Sequence, residues 1–195
     1  MRMKTAACTQ VAVMERVSPR ARTGLLACGA VCFALLTAAS AHLRFYLPFT
    51  PVPVTMQVFV VLLSGAVLGR GWGAMSQCVY VCAGMLGAPF FTGAAGAAFL
   101  SGPTVGYLAG FVIAAFVSGA VLGCGKSVLH VTGAMAAGVG AIYLCGWAWL
   151  VFAWRMGPAA AYFAGVQPFL LADMLKAAAA AALFTPMRRA VRMPG

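Results

Sequence analysis

The sequence predicts an all-α integral membrane protein of six transmembrane helices with both termini in the cytoplasm. Three observations predict it. Of 195 residues, 64% are hydrophobic and 8% charged, against about 25% charged in soluble domains. Six apolar stretches follow one another, each near the roughly 17–25 residues that cross a hydrocarbon core. Lys and Arg, whose placement sets orientation, crowd into alternate connections. The net charge of +11 comes from residues scattered between apolar segments. It therefore sets topology and does not mark a nucleic-acid surface.

Residues 1–22 form a basic arm with Arg2, Lys4, Arg16, Arg20 and Arg22, and Pro19 is expected to break a helix there. The first helix spans 23–43. A secretory signal would share its basic front and an Ala39-Ser40-Ala41 cleavage site. A signal core, however, runs only about 7–15 apolar residues, and the rest of the chain is apolar too. Ala30, Ala34 and Ala38 share one face at i, i+4 spacing. Such a strip admits a closely packed helix, from this chain or from another.

The connection that follows carries Pro48, Pro51 and Pro53, which exclude a regular helix and stiffen it. Helices at 54–69 and 72–87 come next, parted by a turn at Arg70-Gly71, and the second of them carries Gln77 and Tyr80. Residues 88–104 are apolar yet punctuated by Gly93, Gly96, Gly102 and Pro103. Irregular backbone at membrane depth is tolerated where it lines a cavity or is buried in protein, so this stretch is expected to cap a cavity. Helices at 105–122 and 128–152 follow; the second ends in Trp147, Trp149 and Trp154, an interfacial belt. The last helix spans 166–186, and residues 188–195 are a basic tail.

With six crossings, the arm, Arg70, Lys126, Arg188, Arg189 and Arg192 share a side that holds ten Lys and Arg. Arg44 and Arg155 alone stand on the other, and Lys176, the thirteenth, lies in the membrane. That asymmetry puts the termini in the cytoplasm. The last helix then enters from outside, and Asp173 is expected on the order of 10 Å below its start.

Asp173 is the one acid outside the N-terminal arm, where Glu15 sits. Lys176 follows three residues later, on the same helical face. A charge at mid-bilayer costs about 2.5–3.5 kcal/mol on insertion scales. A chain this poor in charge keeps the pair either to pin helices together or to line a cavity and bind something. The proline-rich and glycine-rich connections face the same side as Asp173. Together they would cap a pocket for a small, mostly apolar ligand with a compact polar head. Asp173 offers acceptors and Lys176 donors. A cyclic urea, with two N–H groups beside one C=O, matches both without bringing net charge. A carboxylate tail would need donors nearer the surface, from among Thr92, Ser101, Thr104, Arg44, Arg155 and the backbone of the glycine-rich connection.

The sequence carries no constellation for catalysis: no nucleophile paired with His, no two-carboxylate site and no nucleotide loop. Gly123-Cys-Gly-Lys-Ser lacks the earlier glycine and preceding strand of a phosphate loop. Cys28/Cys32 and Cys78/Cys82 are spaced as helix neighbours, but His42 and His130 are not placed to complete a metal site. The cysteines are read as small packing residues.

Four motifs then stand in order: Pro48-Phe-Thr-Pro-Val-Pro-Val-Thr-Met-Gln57, Gly87-Ala-Pro-Phe-Phe, Gly102-Pro-Thr-Val-Gly-Tyr107 and Phe169-Leu-Leu-Ala-Asp-Met-Leu-Lys176. In this combination the chain, over roughly residues 25–185, resembles the BioY family, the biotin-specific substrate-capture (S) components of energy-coupling factor (ECF) transporters. The resemblance implies a six-helix S-component fold in a prokaryotic cell membrane that binds biotin from outside. It also implies a transmembrane coupling protein and a pair of ATP-binding-cassette ATPases as partners. ATP would be used only by those partners, and this chain would carry no cofactor, metal or catalytic residue of its own. Asp173 and Lys176 match the positions expected to meet the biotin head, and Gln77 and Tyr80 match polar positions of the third helix. Thr55 and Phe91, from the first two motifs, and Thr92, just after the second, complete the expected contacts. The strip Ala30, Ala34 and Ala38 matches the face that meets the coupling protein. The chain departs from the family at Gly93-Ala-Ala-Gly96, which replaces a richer glycine pattern that often includes a basic residue. The other readings are an S component for riboflavin or thiamine, a stand-alone secondary carrier, and a membrane subunit in which the charge pair only pins helices.

Overall fold

A computed structural model describes residues 18–88, 90–91, 101–124 and 127–190. The arm up to residue 17, Thr92, the Gly93–Gly96 pattern, Lys126 and the last five residues lie outside the described residues. The described residues are mostly helical, and five helical stretches among them are long and apolar enough to cross a membrane.

Helix α1 (Pro19–Ala41) starts four positions before the expected 23. Pro19 does not break it but occupies the first turn, where its missing N–H is no loss. The Ser18 side chain caps that turn by accepting from the Ala21 amide. Beyond α1 the chain forms two short strands, β1 (Arg44–Phe45) and β2 (Val54–Thr55), paired antiparallel with Arg44 opposite Thr55. This pairing adds a small sheet to an otherwise all-α expectation. It closes the proline-rich connection into a strap, which the Thr50 hydroxyl ties down by donating to the Ala164 carbonyl at 2.6 Å.

Helix α2 (Gln57–Met85) covers the two helices expected at 54–69 and 72–87. Gly69 interrupts it at φ 77° and ψ 173°, a conformation that glycine adopts without a Cβ penalty. The two halves fold back on each other, because a Cβ on Gly73 would lie 2.7 Å from the Gly65 Cα. Helices α3 (Val105–Cys124) and α4 (Val128–Phe152) follow, the latter capped by the Ser127 hydroxyl on the His130 amide at 3.1 Å.

The last helix, expected from 166, starts four residues later, and the connection before it is itself partly helical. A short α5 (Pro158–Gly165) precedes a 3-10 turn at Gln167–Phe169, and α6 (Leu170–Ala190) begins after it. The chain leaves helical dihedrals at Val166 (φ −123°, ψ −59°), and Pro168 in the turn that follows donates no N–H. Asp173 therefore lies in the first turn of α6, nearer the helix end than a start at 166 would place it.

The core runs through the middle of the bundle, where α2 packs on α1 and α3, α3 on α4, and α6 on both α4 and α2. The outer faces stay apolar, as with Leu129 at 83% and Leu175 at 64% exposure. A water-soluble fold would bury such side chains, whereas a bilayer covers them.

The three tryptophans at the end of α4 each donate an indole N–H to a carbonyl. Trp147 reaches Pro158 at 3.0 Å, Trp149 reaches Gly102 at 2.9 Å and Trp154 reaches Ser101 at 3.2 Å. They fasten the connections around the cavity as well as offering the amphipathic rings of an interface belt.

Candidate ligand site

Asp173 and Lys176 meet as a buried ion pair, Nζ to Oδ1 at 2.6 Å, and are 4% and 9% exposed. The helix spacing puts them on one face, and the amino end of α6 places its partial positive charge beside the carboxylate. Neither group relies on the other alone. The Tyr143 hydroxyl, from α4, donates to Asp173 Oδ2 at 2.8 Å. The Lys176 ammonium donates to the Thr55 carbonyl at 2.7 Å, which links the cavity floor to the strap.

A second polar run continues from the strap. The Thr55 hydroxyl donates to Gln57 Oε1 at 3.1 Å, the Gln57 amide donates to the Tyr80 hydroxyl at 2.7 Å, and Tyr80 donates to the Phe90 carbonyl at 3.3 Å. Both runs border one cavity, which the strap, α2, α3, α4 and α6 enclose. Its remaining wall is apolar and aromatic, with Phe91, Tyr107, Phe111 and Phe169 among its members. Phe91 stands edge-on to Tyr80, ring centroids 5.7 Å apart. Tyr107 is anchored by its hydroxyl on the Gly165 carbonyl at 2.7 Å.

This arrangement can hold a ligand with an apolar body and a small polar head. The ammonium has three N–H donors, two of them engaged by Asp173 and Thr55. Each carboxylate oxygen keeps a further acceptor site. A group that offers donors beside an acceptor can complete both.

Of the residues singled out from sequence, Asp173, Lys176, Thr55, Tyr80, Phe91 and Thr104 all line this cavity. Gln77 does not. It is fully buried, accepts from the Thr37 hydroxyl at 3.3 Å and donates to Ser64 at 3.1 Å and Ser76 at 3.0 Å. Its side chain thus ties α1 to both halves of α2. Gln57, which only closed a motif in the sequence, faces the cavity instead. Arg44 stacks over the Tyr46 ring at 5.6 Å; neither Arg44 nor Arg155 lines the cavity.

The strip expected to meet a coupling protein is enclosed by this chain. Ala30, Ala34 and Ala38 are 2%, 1% and 5% exposed, and Ala34 and Ala38 belong to the core. Small side chains on this face let α1 pack closely on the rest of the bundle. Cys28, Cys32 and Cys82, expected to pack, are exposed instead. Among the described residues no three His, Cys, Asp or Glu side chains gather in a way that could hold a metal ion.

Sequence reasoning missed Tyr143 and Gln57. Tyr143 stands amid apolar residues with no motif around it, and only its contact with Asp173 brings it out.

Known proteins resemble this chain in both sequence and fold. A probable biotin transporter BioY of Pyrococcus horikoshii is 44% identical over 149 residues, covering 76% of this chain and 86% of that protein. The biotin transporter BioY of Thermotoga maritima is 37% identical over 144 residues, covering 73% and 85%. The crystal structure of the S-component for biotin from an ECF-type ABC transporter superposes with a TM-score of 0.78 at 21% identity, over 89% of this chain and 94% of that one. The model of the BioY family matches residues 14–193, and the chain belongs to the BioY family.

Proposed function

We propose that this protein takes up biotin as the S component of an ECF-type transporter, and that Asp173 and Lys176 hold the ureido ring. The observation that carries the reading is the buried ion pair on the wall of an otherwise apolar and aromatic cavity. A bare ion pair inside a membrane is weak evidence for stability, since desolvation offsets much of its attraction. One that borders a cavity and keeps a spare donor and spare acceptors is suited to a neutral head group. Biotin's ureido carbonyl takes the third ammonium N–H, and a ureido N–H meets the carboxylate. Thr55, Tyr80, Gln57 and Phe91 surround the bicyclic body.

The chain crosses the membrane of a prokaryotic cell six times, the two halves of α2 each making one pass, with both termini in the cytoplasm. Its membrane domain spans residues 23–187 between a basic arm and a basic tail. Transport draws on a transmembrane coupling protein and a pair of ABC ATPases, which use the ATP.

Isothermal titration of the purified protein with biotin, riboflavin and thiamine tests the ligand. Biotin is expected to bind, and tighter binding of either other vitamin overturns the assignment. Uptake of labelled biotin, with and without co-expressed coupling protein and ATPases, tests the partners. Full uptake in their absence makes the chain a stand-alone carrier.

A further inference from the structure

Two donors hold the Asp173 carboxylate, and they come from different helices. Lys176, one turn along α6, takes Oδ1 at 2.6 Å. Tyr143 on α4 donates to Oδ2 at 2.8 Å across a sequence separation of 30 residues. Tyr143 is 9% exposed, and it lines the same cavity as Asp173 and Lys176.

A tyrosine hydroxyl both donates and accepts, but toward the carboxylate of an ion pair it can only donate, because that oxygen carries no proton. The terminal torsion of an Asp side chain is broad when nothing restrains it. Lys176 alone would leave the carboxylate free to swing about Oδ1. A second anchor on Oδ2, from a helix that packs against α6, removes that freedom and fixes the direction of the remaining lone pairs. Preorganisation of this kind matters most for a ligand whose head is a rigid ring, since the ring cannot adjust to a tilted acceptor.

We propose that Tyr143 is a positioning residue that sets head-group specificity: by anchoring Asp173 Oδ2 from α4, it orients the carboxylate to accept from a ligand N–H and to refuse a ligand that lacks one. The proposal rests on the biotin reading above, in that the N–H is taken to be ureido. A site built to accept from a donor rejects the analogue without it, because the buried acceptor is then left unpaired or faces another lone pair. Tyr143 acts on the ligand through Asp173. Its removal should therefore blunt discrimination rather than weaken all ligands alike.

The test compares the purified full-length protein with its Tyr143→Phe variant. Biotin is titrated against cyclic carbamate analogues in which one or the other ureido N–H is replaced by oxygen. The wild type is expected to prefer biotin over the carbamate lacking the N–H that meets Asp173 by well over about tenfold. Tyr143→Phe should weaken biotin about tenfold and that carbamate little, so that the preference collapses. Equal weakening of both ligands, or an unchanged preference, marks Tyr143 as a helix-packing residue and overturns the proposal. A wild type that binds no biotin overturns the functional reading first, before any variant is compared. Should Tyr143→Phe fail to fold, Tyr143→3-fluorotyrosine supplies a stronger donor of nearly the same shape. The preference should then rise, and no change overturns the proposal.

Discussion

The Gln57 side-chain amide donates to the Tyr80 hydroxyl at 2.7 Å, although the two positions are 23 residues apart in sequence. In a straight helix that separation would be roughly 35 Å. The contact exists because Gly69 turns α2 back on itself. Thr55 holds the other end of the Gln57 amide at 3.1 Å, so the strap, both halves of α2 and the cavity wall meet at one hydrogen-bonded run.

Tyr80→Phe should therefore lower stability by about 1–3 kcal/mol, because it leaves the buried Gln57 donor without its partner. Gln57→Leu combined with Tyr80→Phe should cost less than the sum of the two single changes, since neither residue is then orphaned. Thermal unfolding in detergent measures all four corners of this cycle. Strict additivity would show that the clamp is not coupled.

Removing one member of the ion pair is the harsher change. Lys176→Met leaves Asp173 buried with Tyr143 as its remaining described partner, a change expected to cost about 3–5 kcal/mol. Asp173→Asn keeps the shape and an acceptor for Tyr143 but removes the charge, and should abolish biotin binding while the protein stays folded and monodisperse. Asp173→Asn combined with Lys176→Met should recover much of the stability lost in Lys176→Met and none of the binding. If binding and folding fall together in Asp173→Asn, the pair is a structural pin.

The hydrophobic pattern made the bundle legible, and the isolated charges made the site legible. Asp173 and Lys176 stand out because oil excludes charge, and their spacing already placed them on one face. Tyr143 did not stand out, because a tyrosine in an apolar helix serves packing as readily as binding until its neighbour is known. Gln77 misled for the opposite reason: a polar side chain in a membrane helix needs partners, but it found them in Thr37, Ser64 and Ser76 rather than at the cavity. The alanine strip on α1 was legible as a close-packing face, while its partner, an element of the same chain, was not. Pro19 and Pro168 show the same limit on a local scale. Proline marks a helix boundary, and only the surrounding dihedrals decide whether a helix starts or stops there.

Glycines at the α2 turn, or on α3 packed against it, make a sharper packing test than those in open positions. A Cβ on Gly73 would sit 2.7 Å from the Gly65 Cα, and one on Gly119 would sit 2.5 Å from the Arg70 amide nitrogen. Backbone is the obstacle in both cases and cannot rotate away. Gly73→Ala and Gly119→Ala should each destabilise by about 1–3 kcal/mol through overpacking. Gly71, with nothing within 4 Å of its would-be Cβ, is the internal control. Gly71→Ala should be neutral or stabilise by up to about 1 kcal/mol through helix propensity. Unfolding temperatures of the three variants decide whether close backbone approach holds the hairpin.

The same hairpin decides topology. If each half of α2 makes one crossing, Arg70 at the turn shares a side with both termini, and Arg44 and Arg155 share the other. If α2 were a single crossing, the parity would change and the carboxyl end would lie outside, against the weight of its arginines. Fluorescent-protein fusions at residue 195 and at the amino end should both glow, since that reporter matures in the cytoplasm. Alkaline phosphatase inserted after Phe49 should be active, and inserted after Arg70 inactive. Phosphatase activity at residue 195 would remove one crossing. It would also place the turn at Gly69 within the membrane, where its broken backbone hydrogen bonds would have to be satisfied by neighbouring helices.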